Sequence, residues 1–199
     1  MNRRGWIVLV ATGWSLAHAA PNSKDYRVGE RLPDAATGGK PAGKYRDIGW
    51  EALVPKHWDA MTAFRDTMAQ LNDADPRAIA ALDKLRKEWD KAPVEPAMNG
   101  KRVRISGFVV PLDGDDGNIR EYLLAPYFGA CIHMPPPPAN QIIHVFADKP
   151  SSDVYMMAAV SISGVLQTVS SPASGQAMGL AGSMGYRMRV EQVAAFKRP

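Results

Sequence analysis

The chain has 199 residues, 46% hydrophobic and 22% charged, with a formal net charge of +4, four histidines and one cysteine. A single cysteine excludes an internal disulfide framework and any CxxC redox or zinc-ribbon motif. Arg3 and Arg4 are the only charged residues of the first twenty, so 22 basic and 20 acidic residues remain beyond them, a net of +2; that balance gives no support to nucleic-acid or anionic-membrane binding as the main role.

The opening residues read as an export signal. Arg3-Arg4 forms a positive n-region, Trp6 to Leu16 an apolar stretch of h-region length, and Ala17-His18-Ala19 the small-x-small cleavage pattern. Cleavage is expected after Ala19 or Ala20, delivering the protein to the periplasm. A spanning helix needs about 20 apolar residues, and this run is shorter and broken by Thr12, Gly13 and Ser15. No later run reaches spanning length, so no membrane span is expected in the mature chain. That leaves about 180 residues, enough for one domain with a proper core.

Residues 21–44 combine Pro21, Pro33, Pro41 and four glycines with few large apolar side chains, the composition of a flexible tether that reaches away or wraps the domain. From 45 to 98 a helical segment docked on the core is expected. Ile48, Trp50, Leu53, Val54 and Trp58 form an apolar cluster. Trp58, Met61, Phe64, Met68 and Leu71 recur at helical steps. A second helix opens at Asp75-Pro76, where Asp75 can accept from first-turn N–H groups and Pro76 suits the first helical position. Ile79, Leu82, Leu85 and Trp89 mark its apolar face, and Pro93 and Pro96 stop it.

From 99 to 197 the period changes to that of strands. Val103, Ile105 and Phe108 to Val110 form a β-segment; Asp113 to Asn118 is a polar turn, with Arg120 to Leu124 returning as the hairpin partner. Gln141 to Phe146, Ala159 to Thr168, and Tyr186 to Val190 are three further strands, the last alternating with Arg187, Arg189 and Glu191. Ile105-Ser106-Gly107-Phe108 is echoed by Ile162-Ser163-Gly164-Val165. A mid-strand glycine permits the bulge or coil that lets one strand serve two sides of a barrel. The expected fold is therefore α+β: a small five-stranded β-barrel of the oligonucleotide/oligosaccharide-binding (OB) type preceded by a short helical segment, with a mixed sheet carrying helices on one face as the alternative.

The tract from Pro126 to Gln141 is unlike the rest. Cys131 and His133 lie two apart and share a face if the backbone is extended. Thiolate and imidazole suit Zn²⁺ or copper rather than Mg²⁺ or Ca²⁺. Four prolines, 135 to 138, impose a stiff polyproline rod without backbone donors and deliver Asn140-Gln141 to the third strand. His144 is a possible third ligand, and Asp113, Asp115 or Asp116 could supply an oxygen. A lone cysteine is more often a small buried apolar residue than a ligand, and a Cys131 nucleophile paired with His133 lacks an orienting third group. His57 has no partner at metal spacing.

Gly107 to Leu112, then Tyr122 to His133, the prolines and Asn140-Gln141 together resemble the signature of an uncharacterised family of exported bacterial proteins. Ile48-Gly49-Trp50 with Leu53-Val54-Pro55 resembles that family's upstream motif, so the likeness runs from about residue 45 to 193. Members resembling it occur beside ABC-type transporter components and periplasmic metal-handling proteins. The resemblance implies zinc as the metal, with copper second, and Cys131 and His133 as ligands. It also implies Asn140 and Gln141 as groups that shape the cofactor site, and a transporter component or metal-handling protein as partner. The expected function is that of a non-enzymatic accessory protein in metal trafficking. A transporter adaptor without metal, or an OB-like polyanion or glycan binder using Arg102, Arg104, Arg187 and Arg189, are the competing expectations.

Overall fold

A computed structural model describes residues 26–33, 44–59, 76–113, 118–130, 137–174 and 183–197, with backbone alone at 76–79, 82 and 170–174. The elements are β1 (Arg46–Asp47), α1 (Pro76–Trp89), β2 (Arg102–Pro111), β3 (Glu121–Ala125), β4 (Ile143–Ala147), β5 (Ala159–Ser174) and β6 (Ser183–Ala195). Short 3-10 turns occupy Trp50–Leu53, Pro96–Met98 and Ala139–Gln141.

The strand order is β1-β2-β3-β4-β6-β5, and β5 pairs back onto β2. That last pairing closes five strands into a barrel and leaves no open mixed sheet. β2, β3 and β4 form an antiparallel meander; β5 returns to the far side of β2, and β6 fills the gap, parallel to β4 and antiparallel to β5. This is the expected OB-like α+β barrel. Closure also disposes of unpaired strand edges.

Alternation decides which residues enter the core. Val103, Ile105 and Val109 of β2, Tyr122 and Leu124 of β3, and Ile143 and Val145 of β4 point inward. Val160, Ile162 and Leu166 of β5 and Tyr186, Met188 and Val190 of β6 complete the same buried cluster, with Trp50 and Leu53 plugging it. On β6 the intervening Arg187, Arg189 and Glu191 are exposed. The two echoed tracts lie in adjacent antiparallel strands and cross at the Ile105–Ile162 pair.

Both echoed glycines sit where the sheet needs them. β2 pairs β1 at 103–104 and β3 only from 108, while β5 lines its other edge throughout 102–108; Gly107 stands at that change of partner. Gly164 stands at a register shift in the β5–β6 ladder.

α1 starts at Pro76, as expected of a proline at the first helical position, and buries Leu85. The helix expected from Trp58 to Leu71 falls, beyond Asp59, outside the described residues, as does the Asp75 cap. Of the glycine- and proline-rich stretch 21–44, residues 26–33 are docked: Tyr26 and Leu32 are buried with Phe108, Ala159 and Phe196 against the outside of the barrel. No helix among the described residues is long and apolar enough to cross a membrane.

Candidate functional site

The connection from β3 to β4 contains the unusual tract, and both of its flanks are fixed. On the leading side, Phe128 N–H donates to the Glu30 carbonyl and Gly29 N–H to the Phe128 carbonyl, each at 2.9 Å. The Phe128 ring stacks on Tyr26 at 6.0 Å and meets Phe108 edge-on at 5.5 Å. Gly129 then turns with φ +82, a left-handed conformation that glycine adopts without a Cβ clash. Its N–H donates to Met157 Sδ at 3.3 Å. Met157 itself holds φ +59, a costly conformation for a residue with a side chain. Ala130 is fully buried.

On the trailing side, Pro137 and Pro138 are buried and Pro138 has the polyproline dihedrals of φ −54 and ψ 149. Ala139–Gln141 then make a 3-10 turn against β6, close enough that a Cβ on Gly185 would lie 2.7 Å from the Ala139 carbonyl. Asn140 is 0% exposed; its Nδ2 donates to the Pro93 carbonyl at 2.8 Å, while its Oδ1 has no hydrogen-bond partner among the described residues. Buried acceptors of that kind are costly and uncommon.

One residue touches both flanks. Arg31 forms a backbone bridge with Tyr127, lays its guanidinium 5.9 Å from the centre of that ring, and donates from Nη2 to Gln141 Oε1 at 2.9 Å. Nothing in its local sequence marks this role. The residues that Arg31 joins lie 14 positions apart from one another, and it meets them only through tertiary packing.

Cys131 and His133 themselves lie outside the described residues, as do Asp115 and Asp116. Among the described residues no group of three His, Cys, Asp or Glu side chains is placed to hold a metal. Asp113 Oδ1 is occupied in its own turn, accepting from the N–H groups of Arg120 and Glu121. His57 is exposed.

His144 is described in full. It stands two residues into β4, 6% exposed, with Nε2 at 2.7 Å from Glu121 Oε1 and its ring 4.1 Å from that of Phe146. Burial pushes its pKa down, the Glu121 hydrogen bond and charge push it up, and Arg187 on the neighbouring strand pushes it down again; the net direction is downward. The Glu121 contact leaves Nδ1 as the nitrogen free for an ion, and the Arg187 charge opposes a cation there. Glu121 is the partner that sequence reading missed, since the two meet only through the β3–β4 register.

The four arginines of the polyanion expectation divide into two kinds. Arg102 pairs with Glu191 and lies over the Tyr45 ring at 5.1 Å, and Arg104 pairs with Asp47 at 3.5 Å. Tyr45 donates to Glu191 at 2.6 Å and Lys44 at 3.3 Å. These contacts, Tyr45 foremost, hold the Glu191 carboxyl down at about 2. Arg189 makes a bidentate pair with Asp148 at 2.8 and 2.9 Å, in the open. Arg187 lies over the Phe146 ring at 5.4 Å.

Residues 50–195 match the model of a family described as "Protein of unknown function (DUF3299)". The chain belongs to the DUF3299 family. A crystal structure of a DUF3299 protein from Pseudomonas aeruginosa PAO1 is similar at 26% identity, with a TM-score of 0.58, covering 79% of this chain and 99% of that one. An aspartyl tRNA synthetase from Entamoeba histolytica has 12% identity and a TM-score of 0.32, covering 87% of this chain and 28% of that one; a likeness that low carries no argument. No curated protein matches. The family membership agrees with the resemblance to an uncharacterised family, and it brings no activity with it.

Proposed function

We propose that this DUF3299 protein is a periplasmic, non-enzymatic accessory module that takes up a transition metal, zinc before copper, through Cys131 and His133, and passes it to or from a transporter component. The observation that supports this reading is the construction of the flanks. Residues 129–130 and 137–140 are buried, Gln141 is half-buried, and Arg31 ties the two flanks together through Tyr127 and Gln141. Fixing the flanks in advance lowers the entropy cost of ordering whatever they present. The chemistry of the donors fits a borderline-soft ion, and the Oδ1 of Asn140, without a partner among the described residues, is an acceptor left for a donor or a cation at the trailing flank.

Two protein ligands fall short of the four that a closed zinc site uses. The site therefore suits transient loading, or completion by a partner's side chains. His144, whose Nε2 is held by Glu121 in the carboxylate–histidine arrangement that orients metal-bound imidazoles, is a third ligand only through Nδ1. Export is part of the same proposal: the first twenty residues direct the chain outward and are removed near Ala19 or Ala20.

Equilibrium dialysis of metal-free protein against Zn²⁺ and Cu(I), repeated with Cys131→Ser, His133→Ala and the double variant, tests the metal. Binding that disappears in the double variant supports the reading. Absence of binding, or binding that the double variant retains, overturns it in favour of a metal-free adaptor. Intact mass of the protein recovered from the periplasm checks the cleavage site.

A further inference from the structure

The outer wall of the barrel carries a second, separate feature. Cross-strand pairing sets two rows of outward side chains across β3, β4, β6 and β5: Glu121, Phe146, Arg189, Val165, and beside them Leu123, His144, Arg187, Gln167. Next to them lies an open groove of about 780 Å³, whose lining includes Asp148, Lys149, Ser151, Gln167, Arg189 and Gln192, with valine side chains between. Arg187 is outside that lining, but it pairs directly with the lining residue Gln167 and is two residues from Arg189 on the same face.

The charges around this groove do not cancel. Asp148 is occupied by Arg189, Glu191 by Tyr45, Lys44 and Arg102, and Glu121, at the head of the first row, by His144 Nε2. All three carboxylates thus already have a partner. Among the described residues Arg187 and Lys149 have no ion-pair partner, so the unmet charge is positive. Arg187 is also poised: a guanidinium lying on an aromatic face keeps its N–H donors in its own plane, where a carboxylate can be gripped by two of them. Gln167, Gln192 and Ser151 add amide and hydroxyl groups that can both donate and accept, the pattern that answers sugar hydroxyls.

We propose that this groove binds an acidic oligosaccharide, its carboxylates held by Arg187 and Lys149 and its hydroxyls by Gln167, Gln192 and Ser151. Single-stranded nucleic acid is the less suitable ligand, because it is bound by stacking bases on free aromatic rings. Among the described residues no aromatic side chain lines the groove, and the Phe146 ring is flanked by Arg187 and His144. The same lack of a free ring disfavours neutral sugars, which leaves recognition to charge and hydrogen bonds. The open form suits a chain rather than an enclosed small molecule.

Titration calorimetry with hexagalacturonate, in low salt and with EDTA present, tests the proposal; maltohexaose and a twelve-residue oligothymidylate serve as comparisons. Binding is expected for the acidic sugar, weakening with added salt. It should fall about tenfold or more in Arg187→Ala, the loss of a hydrogen bond to a charged group, and should fall also in Lys149→Ala, which lies off the barrel strands. It should be unchanged in Arg104→Ala and in the Cys131→Ser, His133→Ala double variant, which separates it from the metal site. No binding of hexagalacturonate, equal binding of maltohexaose, tighter binding of the oligothymidylate, or full affinity in both Arg187→Ala and Lys149→Ala would each overturn it.

Discussion

The indole N–H of Trp50 donates to the backbone carbonyl of Ser106 at 2.8 Å, in a buried position one residue before Gly107. The Arg104 carbonyl two residues earlier accepts from Ile48 N–H beside β1, and Phe108 two residues later pairs with Ala125 of β3. The Ser106 carbonyl falls in the gap between those two partners, and the indole fills it. Trp50→Phe keeps most of the apolar body and removes the donor. It is expected to cost about 1–3 kcal/mol, the penalty of a buried unsatisfied carbonyl; Trp50→Ala should cost about 3–5 kcal/mol through the added cavity. Urea unfolding measures both, and a Phe variant equal to the parent would show that the carbonyl finds another donor.

The barrel's glycines should rank by what a methyl group would strike. At Gly107 a Cβ would lie 2.7 Å from the Ala125 carbonyl oxygen and 2.9 Å from the Trp50 ring; at Gly164 it would run into the Arg189 carbonyl. Backbone oxygens inside a ladder cannot swing aside. Gly107→Ala and Gly164→Ala should each cost about 1–3 kcal/mol or more, the range for overpacking. Gly100 has open space around it and only its φ of +75 to protect, so Gly100→Ala should cost about 1 kcal/mol of backbone strain. Thermal unfolding of the three variants side by side gives the order directly.

The barrel was legible because its strands obey a period of two over long runs and its mid-strand glycines stand out against them. Tyr186, Met188 and Val190 point inward and Arg187 and Arg189 outward, as their alternation requires. The ends of the last hairpin were not legible: β5 runs on to Ser174 and β6 begins at Ser183, through serine, alanine and glycine that pair without strong strand propensity. Nor was the docking of Tyr26 and Leu32, whose neighbours in sequence have the composition of a tether. Arg102-x-Arg104 and Arg187-x-Arg189 show most clearly where sequence runs out. The two patterns are identical along the chain, yet Glu191 and Asp47 neutralise the first pair while Arg187 is left to a phenyl ring. That difference is set by register and by β1, neither of which local residues encode.

Tyr186 ties the barrel to the segments that close its end. Its hydroxyl accepts from Glu95 N–H and donates to the Leu53 carbonyl, each at 2.6 Å, from a side chain with no exposure. Tyr186→Phe leaves both backbone groups short of a partner and is expected to cost about 1–3 kcal/mol. Burial pushes the phenol up to about 12. An acid whose pKa is raised by folding contributes stability in full below its unfolded value of about 10, and that contribution is lost as pH rises through the folded value. The parent should therefore lose stability between about pH 10 and 12 more steeply than Tyr186→Phe. Tyr122, also raised by burial, keeps some slope in the variant. Equal alkaline slopes would mean that Tyr186 ionises without strain.

His144 makes the opposite end of the pH scale informative. Its pKa is lowered on folding, chiefly because the ring is buried, with Arg187 adding to the effect and Glu121 opposing it. The unfolded chain, with an ordinary imidazole near 6.5, takes up the proton first. The native contribution is then complete above that value and is lost as pH falls toward the folded pKa. His144→Gln removes the titrating group while retaining an amide that can donate to Glu121. The variant is expected to be somewhat less stable than the parent at pH 8, where its packing is poorer, and to lose less of its stability on going to pH 5.5. Thermal unfolding at the two pH values measures the difference of differences. A parent that gains stability as the pH falls would mean that the Glu121 carboxylate outweighs burial, making the pair an ion pair at acid pH and His144 a weaker candidate for metal through Nδ1.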